Sequence, residues 1–201
     1  MRTVLTALGL TMVLTACNSA EPPAEPPQLT TPPEVATSGF LTAYVEETIP
    51  MEVAELRVYS EEDPLIGYLQ PTENIANPVA SQVLDGTWPE PGAVRWLRLA
   101  DGHYVVERVL ENELDFFKYQ IFVFTNDTGR GVEQIVGEQR FVSVDEGTRF
   151  EWTYNVLPHN LVTRQIVRGN MDEIEAYIGS GLEGFAAAAA ARAAAGREAE
   201  G

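Results

Sequence analysis

Six segments with strand character follow one another between residues 79 and 156 with only turn residues between them, and this run most limits the folds open to the chain. The segments are 79–84, 93–99, 104–110, 116–124, 134–144 and 148–156, all rich in Val, Ile, Leu, Phe, Tyr and Trp. Their turns carry Asp101-Gly102, Asn126-Asp127-Thr128-Gly129 and Glu146-Gly147. Parallel neighbours would need crossovers of about a dozen residues or more, so the run predicts an antiparallel meander. A seventh strand, 40–49, precedes it and ends at Pro50. Between the two, residues 52–69 have helical character broken at Asp63-Pro64 into two short helices, and Pro71 closes the region. After the meander, Asn170 and Glu173 have capping-box spacing, and Ile174, Ile178, Leu182 and Phe185 form one apolar stripe of a long helix. Gly179, Gly181 and Gly184 each weaken that helix by about 1 kcal/mol relative to Ala, which predicts a close backbone approach or a break. Residues 186–201, alanine-rich around Arg192, read as a helical tail with little to pack against, so the domain is placed at 39–185.

The N-terminus gives the chain an address. Met1 and Arg2 form a positive start, and residues 4–14 form an apolar stretch well short of the roughly 20 residues needed to span a bilayer. Residues 1–16 therefore read as an export signal. Leu14-Thr15-Ala16-Cys17 resembles the lipobox of bacterial lipoproteins. The resemblance implies cleavage before Cys17, thioether-linked diacylglycerol on its sulfur (palmitate-type acylation) and acylation of the new amino terminus. One acyl chain binds membranes only marginally, whereas three would hold firmly. Cys17 is the only cysteine, so the fold does not depend on a disulfide. Asn18 stands where an inner-membrane retention signal usually carries Asp, which favours an outer-membrane location facing the periplasm. Residues 17–38, with three Pro-Pro pairs and almost nothing apolar, read as an extended tether that burial cannot order.

A formal net charge of -17 argues against nucleic acid, and no basic stripe with interleaved aromatics is present. Anionic headgroups would likewise be repelled, so membrane contact is expected through acylated Cys17. Chemistry-bearing constellations are absent. His103 and His159 both fall in turns and are expected to be exposed, and two separated histidines without a matching carboxylate motif make no zinc site. The acidic turns lack calcium-loop spacing, and no Ser or Cys nucleophile motif is found. No catalytic residue, metal or cofactor is therefore assigned.

Strand, two short helices, six strands and a long C-terminal helix is the order of the helix-grip fold. The chain resembles the START-like (SRPBCC) superfamily, which includes polyketide cyclase-like proteins and the birch-pollen-allergen type. The resemblance rests on Pro91-Gly92-Ala93-Val94-Arg95, the Leu99-Ala100-Asp101-Gly102 hairpin, Val106-Glu107-Arg108-Val109 and Gly147-Thr148-Arg149-Phe150-Glu151-Trp152. It implies an α+β fold in which a seven-stranded antiparallel sheet curls around the C-terminal helix. It also implies a largely apolar cavity for a hydrophobic or amphipathic ligand.

Alternation nominates the cavity wall. Phe150, Trp152, Tyr154 and Val156 share one strand face, and Phe117, Tyr119, Ile121 and Val123 share another, so these sets point inward as core or as ligand contacts. Arg95 and Glu107 are the sharpest polar candidates. A two-residue Asp-Gly turn sets Arg95 opposite Arg108, whereas a three-residue turn with Gly102 in the left-handed region sets it opposite Glu107. The second register is preferred because it pairs opposite charges. Such a pair would orient a ligand's polar end, or else form a solvated cross-strand ion pair. Three functions stand at this level: noncatalytic binding of a hydrophobic small molecule or lipid at the envelope, a cyclase or dehydratase using Glu107 or a nearby tyrosine, and an interaction protein with a filled core.

Overall fold

The structure, a computed structural model, describes residues 21–127 and 129–200, the side chains of 199 and 200 excepted; the export signal and Cys17 lie outside the described residues. The elements are β1 (Leu41–Ile49), α1 (Val53–Glu62), a 3₁₀ turn (Leu65–Gly67), β2 (Pro78–Asp85), β3 (Val94–Leu99), β4 (Tyr104–Glu113) and β5 (Phe116–Phe124). After these come β6 (Val132–Val144), β7 (Gly147–Pro158), α2 (Leu161–Gly169) and α3 (Met171–Glu200). The sheet runs β1-β7-β6-β5-β4-β3-β2 with every neighbouring pair antiparallel. The meander therefore forms as expected, and β1 closes it by pairing with the last strand. This is the helix-grip α+β architecture.

The concave face is covered by α3. Ile178, Leu182, Phe185 and Ala189, spaced along one helical face, are fully buried, and the Phe185 ring meets Phe150 edge-on at 6.0 Å and Tyr59 at 5.4 Å. The helix is not broken at its glycines. A Cβ on Gly181 would lie 2.7 Å from the Leu69 side chain and one on Gly184 would lie 3.1 Å from Tyr68, so the chain around the 3₁₀ turn can approach only because these positions lack side chains. The alanine run also packs, contrary to the tail expected at 186–201. Ala189 and Ala193 belong to the core, because methyl side chains let the helix lie close to its neighbours.

Two other expectations change. The stretch after Pro158 is a helix, α2, and not merely a turn. Asn160 caps it, its Oδ1 accepting from Val162 N (2.9 Å) and Thr163 N (3.1 Å), while Thr163 Oγ1 accepts from Asn160 N at 3.1 Å. Asn170 consequently ends α2, and Glu173 serves no capping box. Its carboxylate instead accepts from Asn74 N (2.8 Å) and Nδ2 (3.0 Å), tying α3 to the loop before β2.

The Pro-rich segment is held against the convex face. Arg108 on β4 and Gln120 on β5 donate to the Pro33 carbonyl at 3.0 and 3.5 Å, and Gln134 on β6 donates to the Glu34 carbonyl at 3.1 Å and accepts from Ala36 N at 3.3 Å. Gln120 also donates to Gln134 at 2.8 Å, and both side chains are buried beneath the segment. A segment with few apolar side chains is thus held through its backbone polar groups, an interaction that a burial criterion misses.

Candidate functional site

Between the concave face and the helices lies a cavity of about 930 Å³. That is the size of a site for a drug-sized ligand. Its wall is mostly apolar, drawn from β3 (Leu97, Leu99), β4 (Val105), β5 (Phe117, Ile121, Phe124), β7 (Phe150, Trp152, Val156) and α3 (Ile174). Every side chain nominated from alternation in residues 117–121 and 150–156 lines it. Val123 does not. A bulge at Phe122, between the Val106–Val123 and Glu107–Ile121 pairs, turns Val123 outward and brings Phe124 to the wall in its place.

Arg95 and Glu107 face each other in the preferred register. The hairpin loop has Gly102 at φ 85°, and Arg95 is the direct cross-strand partner of Glu107. Arg95 Nε and Nη2 both reach Glu107 Oε1 at 2.5 Å. The pair lines the cavity and is not a solvated surface pair: the side chains are 12% and 5% exposed. Trp88, from the loop after β2, lies over the guanidinium with Arg95 Cζ 3.6 Å from the ring centroid. A cation between a carboxylate and an aromatic face is oriented on two sides, which fixes a buried, strongly polar patch on this wall.

Three phenols line the same cavity as the carboxylate: Tyr119, Tyr154 and Tyr177. The Tyr119 ring lies across Gly137 on β6, where a Cβ would come within 2.2 Å of it, and its hydroxyl accepts from Trp152 Nε1 at 3.1 Å. Burial pushes the Tyr119 hydroxyl well above the usual phenol range, with Tyr154 and Glu107 adding to the shift. Tyr154 is raised well above that range by burial, then by Tyr177 and Glu107; its remaining exposed surface faces the cavity. In Tyr177 burial again comes first, followed by Glu107. The protonated phenols are thus native-state requirements, and the sign follows. The stability they contribute is complete below the unfolded value near pH 10 and is lost as pH rises from there toward the folded value, at up to about 1.4 kcal/mol per pH unit per phenol. Spectrophotometric titration at 295 nm should therefore show Tyr119 and Tyr154 ionising only together with loss of the fold. Reversible ionisation of all the tyrosines in the folded state would contradict this wall.

Sequence reasoning missed several wall residues. Trp88 and Tyr177 belong to it, as does Arg57 on α1, which donates to Asn112 and stacks over Phe141 with its Cζ 4.8 Å from the ring centroid. An aromatic within Thr87-Trp88-Pro89 was the available sign of Trp88; Arg57 carried none, since a cation on a helix reads as solvated. His103 is buried and contacts Thr125 Oγ1 through Nδ1 at 3.1 Å, so it is not the exposed turn residue expected. His159 is exposed as expected. Among the described residues no group of three or more metal-ligating side chains is brought together.

No protein-family model matches the sequence, and no curated protein matches it. Solved structures do. The chain is similar to TTHA0849 from Thermus thermophilus, with a TM-score of 0.55 and 16% identity over 76% of this chain and 99% of that one. It is also similar to StfQ, the di-domain ARO/CYC of the steffimycin biosynthetic pathway, with a TM-score of 0.57 and 12% identity over 77% of this chain. This chain spans about half the length of StfQ (52%). At these identities the likeness is one of fold.

Proposed function

We propose that this helix-grip protein is a bacterial lipoprotein, anchored in the cell envelope through acylated Cys17, that holds an amphipathic small molecule or lipid without transforming it. The observation that carries the reading is the largely apolar cavity with a buried ion pair, Arg95–Glu107, on its wall. A filled core would have favoured a pure interaction protein, and the interior is not filled. The apolar wall suits an alkyl or aromatic body, and the guanidinium and carboxylate suit a hydroxyl, carbonyl or carboxylate end. The Leu-Thr-Ala-Cys17 sequence supports the anchor, and Asn18 supports an outer-membrane location facing the periplasm.

A second reading, a cyclase or dehydratase, draws on the three phenols that share the cavity with Glu107 and on the fold shared with the di-domain ARO/CYC StfQ. Arg95 occupies Oε1 of Glu107 twice, which leaves Oε2 as the oxygen that a general base would use. Binding alone asks nothing further of these residues.

Native mass spectrometry of the protein extracted from its own membrane tests both parts. The expected spectrum shows a covalent mass increment of acyl chains, lost in Cys17→Ser, and a noncovalent ligand released on denaturation. Absence of the increment would remove the lipoprotein assignment. A cavity that retains nothing, or a ligand recovered as a converted product, would remove the noncatalytic binding assignment.

A further inference from the structure

Helix α2 presents to solvent what an acidic envelope protein otherwise avoids. Leu161, Val162 and Ile166 are 80%, 73% and 61% exposed, while Val167 on the opposite side is buried. At 3.6 residues per turn the three span about 140° of the helix, with Gln165 between them, and form one largely apolar face; Ile166 lines the cavity beside Thr163 and Val167. The charge pattern is equally local. Residues 152–171 contain no Asp or Glu, the longest acid-free stretch among the described residues, and they include Arg164 and Arg168. Arg164 donates to the Gly39 and Phe40 carbonyls at 2.5 and 3.5 Å, and Arg168 donates to Gln165 at 3.3 Å; no carboxylate neutralises either in these contacts. Repulsion of headgroups, expected from the charge of the whole chain, therefore does not hold at this face.

The described chain begins at the same end. Pro22 packs on Gly102 in the β3–β4 turn, where an added Cβ would come within 3.2 Å of it. That turn is bonded to the β5–β6 connection, Tyr104 N donating to Thr125 Oγ1 at 2.8 Å and Thr125 N to Tyr104 O at 3.1 Å. The β5–β6 connection in turn meets the start of α2, with His159 N donating to Gly131 O at 3.2 Å and Thr163 lying against Gly131. Cys17 precedes Glu21 by four residues, which covalent geometry limits to about 14 Å. With Cys17 acylated, this end of the sheet faces the bilayer, and α2 faces it with the cavity mouth.

We infer that α2 docks on the phospholipid surface, its aliphatic face entering the headgroup boundary and its arginines meeting lipid phosphates, so that the cavity opens directly onto the membrane. This rests on the binding function and the Cys17 anchor proposed above, and it narrows the ligand to one that partitions into lipid. Interfacial helices bind in this way through apolar area plus attraction to anionic headgroups.

Flotation with vesicles of phosphatidylcholine and phosphatidylglycerol tests the docking on the processed chain carrying Cys17→Ser, where no acyl chain contributes. The unlipidated protein should float with the vesicles at low salt. Leu161→Gln with Val162→Gln, both exposed and neither lining the cavity, should lower the bound fraction at least tenfold. Arg168→Gln should lower it several-fold and flatten its salt dependence. Fluorescence of N-phenyl-1-naphthylamine in solution, reporting the cavity, should be the same in all variants. Docking is overturned if the unlipidated parent protein does not float, if the double variant floats equally well, or if sedimentation shows that the double variant instead dissolves a dimer. A protein that floats as described but never binds the probe supports the docking and removes only the cavity-binding reading.

Discussion

Arg95→Met should destabilise the protein by about 3 to 5 kcal/mol, because it leaves the Glu107 carboxylate buried without its cation. Glu107 is 5% exposed, so little of its carboxylate is solvated in the native wall. The loss also frees the Trp88 face, which now packs on the guanidinium. Replacing both partners, Arg95→Met with Glu107→Met, should recover most of that stability, since it removes the uncompensated charge and leaves apolar side chains in an apolar wall. Urea unfolding of the two single variants and the double variant measures the cycle. A cost below about 1 kcal/mol for Arg95→Met would be that of a solvated surface pair and would mean that the cavity is open to water at this wall. The double variant also separates stability from function: it should fold and yet bind an amphipathic ligand more weakly, because the polar patch is gone while the apolar wall remains.

The hairpin between β3 and β4 shows how much of the site could be read in advance. Asp101-Gly102 announced the turn, and the demand that Arg95 meet Glu107 and not Arg108 selected the loop length. The strand order, the inward faces of β5 and β7, and the close packing at Gly181 and Gly184 followed from the same local rules of alternation and steric room. Features that depend on two distant segments did not. The bulge at Phe122 inverts Val123 and Phe124 through a shift in the β4–β5 register, which neither strand records alone. Residues 33–36 lie down because Arg108, Gln120 and Gln134, from three strands, offer partners to their backbone. Glu173 abandons the expected capping box because Asn74, nearly a hundred positions earlier, supplies two donors. The α2 helix is the exception: Asn160 and Thr163 had the spacing of a cap, but Pro158-His159-Asn160 read equally well as a turn.

Trp152→Ala should be the most damaging change on β7, at about 3 to 5 kcal/mol for removing a buried aromatic. The indole is 3% exposed and meets Tyr154 at 6.0 Å, and its Nε1 donates to the Tyr119 hydroxyl. Tyr119 cannot move toward β6, because its ring already spans the space a side chain on Gly137 would fill. Trp152→Phe should keep most of the packing and lose the donor, at about 1 to 2 kcal/mol, so the two variants divide packing from hydrogen bonding. With Trp88 and Trp96 replaced by Phe, the remaining indole should emit at short wavelength and respond to a hydrophobic probe entering the cavity. Red-shifted, probe-insensitive emission together with a small cost for Trp152→Ala would place the indole in water, and the inward face of β7 would then have to be the opposite one. That outcome would undo the cavity wall as a whole, since Phe150, Tyr154 and Val156 share its alternation.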